Sequence, residues 1–269
     1  FDGYKKDNPE WNPSTNSWSE GFSVPGFTAT VAYEFPHAAV ATNYRENVTF
    51  VWGGSDFPSG PGSEVWRDQL VAWDGSWSTI NSPTGVPGKD AVSGDHVLSM
   101  AAKDTGTGTE LMLFTGSYDG VTALRNQAIY YWTQTSSSPI DGTWNYITGS
   151  TGASESSVMP QAIVQLMWER SRNRWVAMSA DPNTTPNIWS STDGGLTWNA
   201  ATYSKGSWSN THVTLNSITQ YAALSTADPE RNRFYITCIS SDGEGGYQEL
   251  WQLNLAHNLS ESTLAKLYP

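Results

Sequence analysis

Apolar and polar residues alternate along much of this chain with a period of two, the pattern of strands buried on one face, and the alternation recurs as a larger unit. Four times a polar residue opens such a stretch: His37-Ala-Ala-Val-Ala, His96-Val-Leu-Ser-Met, Gln161-Ala-Ile-Val-Gln and Gln220-Tyr-Ala-Ala-Leu. These openings stand 59, 65 and 59 residues apart. A second apolar run follows each of them: Val48-Thr-Phe-Val-Trp52, Glu110-Leu-Met-Leu-Phe114, Arg174-Trp-Val-Ala-Met178 and Arg233-Phe-Tyr-Ile-Thr237. Third runs end on aromatics at Trp73, Tyr131 with Trp132, Trp189 and Trp251, and fourth runs start near Trp77, Trp144, Trp198 and Thr263. Polar turns such as Asn43-Tyr-Arg-Glu-Asn47 and Glu169-Arg-Ser-Arg-Asn173 join the first two runs, with the residue types that hairpins favour.

Four short strands per repeat, at a repeat of about 60 residues, predict an all-β fold of the β-propeller type, in which each small antiparallel sheet buries its faces only against its neighbours. Residues 1–35 fit the repeat poorly. They carry Trp11-Asn-Pro-Ser-Thr-Asn-Ser-Trp18 and an alternating stretch, Phe27-Thr-Ala-Thr-Val-Ala-Tyr33. Either they build an irregular fifth blade with the C-terminal tail, or they supply an outer strand to the last of four sheets. Five blades is the expectation, since about 50 residues per blade is then typical. No linker-like shift in composition divides the 269 residues, so one domain spans 1–269.

Composition supplies the core: hydrophobic residues are 38% of the chain, and 14 Trp, 12 Tyr and 8 Phe carry much of that burden, each covering more area than an aliphatic side chain. Charge then excludes partners. With a net charge of −12 and only 14 Lys plus Arg, the chain lacks the basic surface that grips nucleic acid or anionic lipid, and no apolar stretch is long enough to span a bilayer. Neutral sugars or cations suit it better. The Ser/Thr-rich, Lys-poor composition points to an extracellular protein, expected here as a monomer. Cys238, alone in its chain and set in an apolar run, reads as a buried structural thiol.

The stretch Ser191-Thr-Asp-Gly-Gly-Leu-Thr-Trp198 matches Ser-x-Asp-x-Gly-x-Thr-Trp at every position, with shorter echoes at Asp74-Gly-Ser-Trp77 and Asp141-Gly-Thr-Trp144. It resembles the Asp-box turn of the sialidase-like propellers. That resemblance implies a turn between third and fourth strands, on the face away from the active site. It implies no particular reaction, because propellers of this type include hydrolases, sorting receptors and assembly factors. It also stops short of true sialidases: their N-terminal Arg-Ile-Pro signature has no counterpart, the nearest segment being Glu34-Phe-Pro36-His37. A sialic acid carboxylate wants a bidentate Arg clamp, so sialidase activity is disfavoured.

Strands alternate in direction within a blade, so first-strand starts and the turns between second and third strands share one face. There the sequence gathers His37, His96, Gln161 and Gln220 with Asp95 beside His96, and a second ring of turn acids, Asp56, Asp119, Asp181 and Asp242, with Glu244 close by. An Asp in every blade is explained by turn geometry alone, whereas Asp95 has no equivalent elsewhere. Arg67-Asp-Gln69 and Arg125-Asn-Gln127 lead into third strands on the same face, and Trp66 is placed to stack on a sugar ring.

Three chemistries fit this set. Glycoside hydrolysis uses two carboxylates about 5–10 Å apart, for which Asp95 is the best single candidate, with Asp56, Asp68 or Asp119 as partner. A polysaccharide lyase would use His37 or His96 as base, with Arg67 or Arg125 neutralising a uronate. A divalent metal would find ligands in His37, His96 and Asp95; otherwise no cofactor is expected. The non-enzymatic alternative is a lectin or adhesion head, such as a virus-fibre receptor-binding propeller, in which the Trp and Tyr residues bind glycans without turnover. Unlike loops in different blades favour one site over several, and so an enzyme.

Overall fold

The computed structural model describes residues 10–12, 14–15, 17–19, 33–34, 39–52, 55–56, 65–66, 70–80, 96–118, 124–149, 163–179, 186–208, 212–214, 225–240 and 247–268. These form four blades of a β-propeller, each a four-stranded antiparallel sheet in sequence order. Blade I comprises Ala39–Asn43, Val48–Trp52, Leu70–Trp73 and Trp77–Ile80. Blade II comprises His96–Asp104, Thr109–Tyr118, Leu124–Gln134 and Gly142–Gly149. Ile163–Glu169, Arg174–Ser179, Asn187–Ser191 and Asn199–Ala201 make blade III. Blade IV consists of Ser225–Asp228, Arg233–Ser240, Tyr247–Asn254 and Thr263–Tyr268, and His212–Thr214 pairs with the far end of its second strand.

The five-bladed expectation is corrected at one point: the C-terminal tail is not free to build a further blade, because Thr263–Tyr268 is the outer strand of blade IV, paired along Tyr247–Asn254. The described residues therefore show four blades. Of the N-terminal segment they show a short hairpin, Glu10–Asn12 with Ser17–Ser19, in which Trp11 faces Trp18. They also show Tyr33–Glu34 paired with Ser55–Asp56, which in turn pairs with Val65–Trp66. That small sheet prolongs the first three strands of blade I.

The first hairpin of every blade is built alike. Asn43, Asp104, Glu169 and Asp228 end the first strands and pair with Val48, Thr109, Arg174 and Arg233. The turn residue in left-handed conformation is Asn47, Asn173 or Asn232 in blades I, III and IV, Asn tolerating that conformation better than most side chains. In blade II Gly106 takes the positive φ two positions earlier in the turn than those asparagines, and Thr105 N donates to Gly108 O.

Three hydrophobic clusters hold the blades together face to face. Phe50 and Trp52 of blade I meet Leu111, Leu113 and Trp132 of blade II. Met112, Phe114 and Ile129 of blade II meet Trp168, Trp175 and Trp198 of blade III. Val176, Met178 and Ile188 of blade III meet Phe234, Trp251 and Leu253 of blade IV. The interdigitation is tight enough that a Cβ on Gly142 would come within 2.2 Å of the Trp132 ring, so the fourth strand of blade II can start there only with glycine. Among the described residues no helix is long and apolar enough to cross a membrane.

Candidate functional site

Polar ties between blades fix which end is which. The amide of Asn43 donates to Thr109 Oγ1 across the I–II interface at 2.8 Å. Arg45 and Arg170, from the turns of blades I and III, lie 3.6 and 4.0 Å from the Asp104 carboxylate of blade II. Arg174 of blade III donates to the carbonyls of Ala256 and His257 in blade IV at 2.9 and 3.0 Å. All four first hairpins therefore gather at one end of the propeller, and all four first strands start from the other.

At the hairpin end the polar groups hold one another. Glu169 is fully buried and accepts from both Arg172 and Arg174; a buried carboxylate needs such partners to stay charged. Burial lowers the pKa of both arginines, and their mutual repulsion adds to this at Arg172. Asp228 sits below the usual carboxylate range: burial works against this, but hydrogen bonds from Arg231 and the charges of Arg231 and Arg233 outweigh it. At the II–III interface Lys103 donates to Glu110 at 2.6 Å and lies 4.9 Å from the Trp168 ring centre. Burial, then the hydrogen bond its hydroxyl donates to Glu110 and that carboxylate's charge, pushes Tyr131 well above the ordinary phenol value.

The turn at 191–198 lies at this end too, between the third and fourth strands of blade III as its sequence implied. Ser191 Oγ donates to Asp193 Oδ1 at 2.7 Å and accepts from Gly195 N at 2.9 Å. Thr197 donates to the Asp193 carboxylate twice, from N at 3.0 Å and from Oγ1 at 2.5 Å. Trp198 Nε1 closes the loop on Gly195 O at 3.0 Å, and Gly194 and Gly195 take the positive φ the turn requires. Burial alone would raise the pKa of Asp193; the bonds from Thr197, Ser191 and its own backbone bring it down to about 2. Both carboxylate oxygens are held by donors of the turn itself, the bonding of a fold element.

Four of the candidate residues lie among the described strands at the opposite end. His96 opens the first strand of blade II, facing Gly116; Gly116 faces Asn126, and Ser117 faces Arg125. His96 and Arg125 thus stand two strands apart at the same end of one sheet, a backbone separation of about 10 Å at ordinary strand spacing. In blade I, Asp56 lies between Tyr33 and Val65, and Trp66 faces Ser55, at the corresponding end. His37, Asp95, Gln161, Gln220, Arg67 and Asp119 lie outside the described residues. Counting from the equivalent residues Asp104, Glu169 and Asp228, His96, Gln161 and Gln220 each stand eight positions earlier, whereas His37 stands only six before Asn43.

Among the described residues no group of three His, Cys, Asp or Glu side chains could hold a metal. Two buried carboxylates escaped the sequence reading, Glu169 and Glu249. Glu249, on the core face of its strand with Trp251, accepts from Trp251 Nε1 at 2.7 Å and from Lys266 Nζ at 2.5 Å. Its signal was an acid at an apolar position of an alternating strand, Tyr247–Asn254.

No family model matches the sequence, and no curated protein matches it. Among solved structures the chain is similar to the GH93 alpha-L-arabinofuranosidase of Fusarium graminearum in complex with arabinobiose, at 9% identity and a TM-score of 0.49 over 87% of this chain and 67% of that one. It is similar to the GH32 beta-fructofuranosidase of Bombyx mori in complex with sucrose, at 9% identity and a TM-score of 0.47 over 87% of this chain. A third likeness is to the Trypanosoma rangeli sialidase with 2,3-difluorosialic acid, at 10% identity and a TM-score of 0.47 over 99% of this chain and 41% of that one. The chain spans about half the length of the beta-fructofuranosidase, 49%. The fold assignment rests on the blades themselves.

Proposed function

We propose that this chain is a secreted carbohydrate-active propeller, a glycoside hydrolase or polysaccharide lyase whose single site lies at the end where the first strands start. The observation that carries the reading is the polarity of the blades. One end is occupied by polar groups that satisfy each other, and the other is where His96, Arg125, Asp56 and Trp66 emerge from neighbouring strands and blades. In this reading Asp95, His96 and His37 carry the chemistry. Asp95 acts as the acid of a hydrolase, or a histidine acts as the base of a lyase. Gln161, Gln220, Arg67, Arg125, Trp66, Asp56 and Asp119 bind the glycan, and His37, His96 and Asp95 are the ligands available to a divalent metal.

The acidic chain favours a neutral polysaccharide over a uronate, which only the two arginines would welcome. Incubation with a panel of neutral and uronic polysaccharides distinguishes the reactions. New reducing ends alone mean hydrolysis, and products with ultraviolet absorbance from a new double bond mean elimination. Asp95→Asn and His96→Ala should each lower turnover about a hundredfold or more with the melting temperature unchanged. Glycan binding without turnover, retained in Asp95→Asn, would replace the enzyme by a lectin. Neither binding nor turnover across the panel would end the reading.

A further inference from the structure

The inner edges of blades II and IV reach the end opposite the hairpins by different routes. In blade II one unbroken strand, His96–Asp104, lines the second strand: Asp104 faces Thr109 at the hairpin, and His96 faces Gly116, seven residues further on. In blade IV, Ser225–Asp228 pairs only with the stretch from Ile236 back to Arg233. The rest of that edge belongs to His212–Thr214, which is antiparallel to Cys238, Ile239 and Ser240 and so runs in the same direction as Ser225–Asp228. Thr214 faces Cys238 and Ser225 faces Ile236, two residues apart, although ten residues, 215–224, stand between Thr214 and Ser225 in the chain. Trp208 anchors the approach to this edge: it is 7% exposed in the III–IV core, its ring centre 5.1 Å from that of Trp251.

Strand register sets up an equivalence that counting along the chain misses. Ser240, the partner of His212, stands seven residues after Arg233, just as Gly116 stands seven after Thr109. The rows continue alike, Ser240 facing Tyr247 and Gly116 facing Asn126. His212 therefore holds in blade IV the place that His96 holds in blade II, the place that counting back from Asp228 gives to Gln220. Between the two stands the first strand of blade III, tied to that of blade II by Ser99 Oγ donating to Gln165 Oε1 at 3.4 Å and lying beside Ser225–Asp228 on its other side.

We propose that His212 is a glycan-binding residue, the blade IV anchor of the site. This rests on the glycan reading above and gives it a direction: the bound saccharide runs from blade II past blade III to blade IV. Sheets packed face to face lie about 10 Å apart, and an acid–base pair acting on one glycosidic bond works over about 5–10 Å. Positions two blades apart therefore serve different sugar units, and the chemistry stays with blade II. A neutral imidazole both donates and accepts a hydrogen bond, which matches a sugar hydroxyl.

The test is calorimetric titration of the full-length chain with neutral cello-, xylo- and arabino-oligosaccharides, each from disaccharide to hexasaccharide. His212→Ala should weaken hexasaccharide binding about fivefold to tenfold, the worth of one hydrogen bond, and disaccharide binding much less. His96→Ala should weaken both, and His257→Ala, exposed at the hairpin end, neither. Unchanged hexasaccharide affinity in His212→Ala, with His96→Ala impaired, overturns this inference and leaves the glycan reading standing. Native chain that binds none of the oligosaccharides takes down both. A second readout does not depend on how well the alanine variant folds. Among the imidazole Cε1 proton signals of the native chain, the one missing from His212→Gln should move when the hexasaccharide is added, and a signal that stays still contradicts the contact.

Discussion

The turn at 191–198 of blade III and the turn at 74–77 of blade I start from the same Asp-Gly-to-Trp pattern and end in different places. In blade III the Asp193 carboxylate receives Ser191 and both donors of Thr197, the loop is pinned by the Trp198 indole, and Trp198 reaches across to Phe114 of blade II with ring centres 5.3 Å apart. In blade I, Asp74 receives only N and Oγ of Ser76, at 3.3 and 3.2 Å, and Trp77 stacks on Trp73 of its own sheet at 5.3 Å. Blade II is intermediate: Asp141 takes Ser136 Oγ, and Trp144 reaches back to Trp52 of blade I at 5.8 Å. In blades II and III alike the Trp that follows the turn lies against the preceding blade, and the full motif adds the bonds that pin the turn in blade III. Where it is shortened and no preceding blade is described, the Trp folds onto its own.

That comparison can be broken first at the tryptophans. Trp198 is 6% exposed, so Trp198→Ala should cost about 3–5 kcal/mol in chemical denaturation, as buried aromatic truncations do. Trp77→Ala, from a partly covered site, should cost about half of that or less. Equal costs would mean that the two turns do the same job.

At the aspartates the effect is smaller. Asp193→Ala removes the acceptor of three donors, but the residue is exposed and water replaces part of what is lost, so a cost of about 1–2 kcal/mol is expected. Asp74→Ala, with one donor residue to lose, should stay within about 0.5 kcal/mol. A cost below that of Asp74→Ala would remove the motif's claim to stability.

The smallest effect is the pH dependence. The Asp193 pKa in the folded chain is about 2, below the value of about 3.9 in an unfolded one. Its stabilisation is therefore complete above about pH 4 and disappears as pH falls towards 2. The difference in melting temperature between the native chain and Asp193→Asn should shrink over that window. A difference that stays constant from pH 5 to pH 2 would show that the carboxylate charge contributes nothing.

Much of this fold was legible because strand alternation and turn chemistry are local. The second strands begin within one residue of their expected places, Val48, Thr109, Arg174 and Arg233, and Thr263 does open the last fourth strand. What eluded sequence was the pairing of buried charges. Glu169 with Arg174 and Glu249 with Lys266 are joined across strands by side chains whose partners no local pattern names. For the site itself, sequence supplied the residue types and the structure supplied the direction of the strands, with His96, Arg125, Asp56 and Trp66 located by backbone register.

The central claim is that the two ends of this propeller divide stability from chemistry, and a paired measurement on two variants tests it most directly. Melting temperature and polysaccharide turnover, or glycan affinity where there is no turnover, should be recorded for Asp193→Ala and His96→Ala side by side. The account predicts a crossed result: Asp193→Ala melts lower and keeps its glycan activity, whereas His96→Ala melts as the native chain does and loses that activity about a hundredfold. Parallel losses in both variants, or an active His96→Ala, would contradict it.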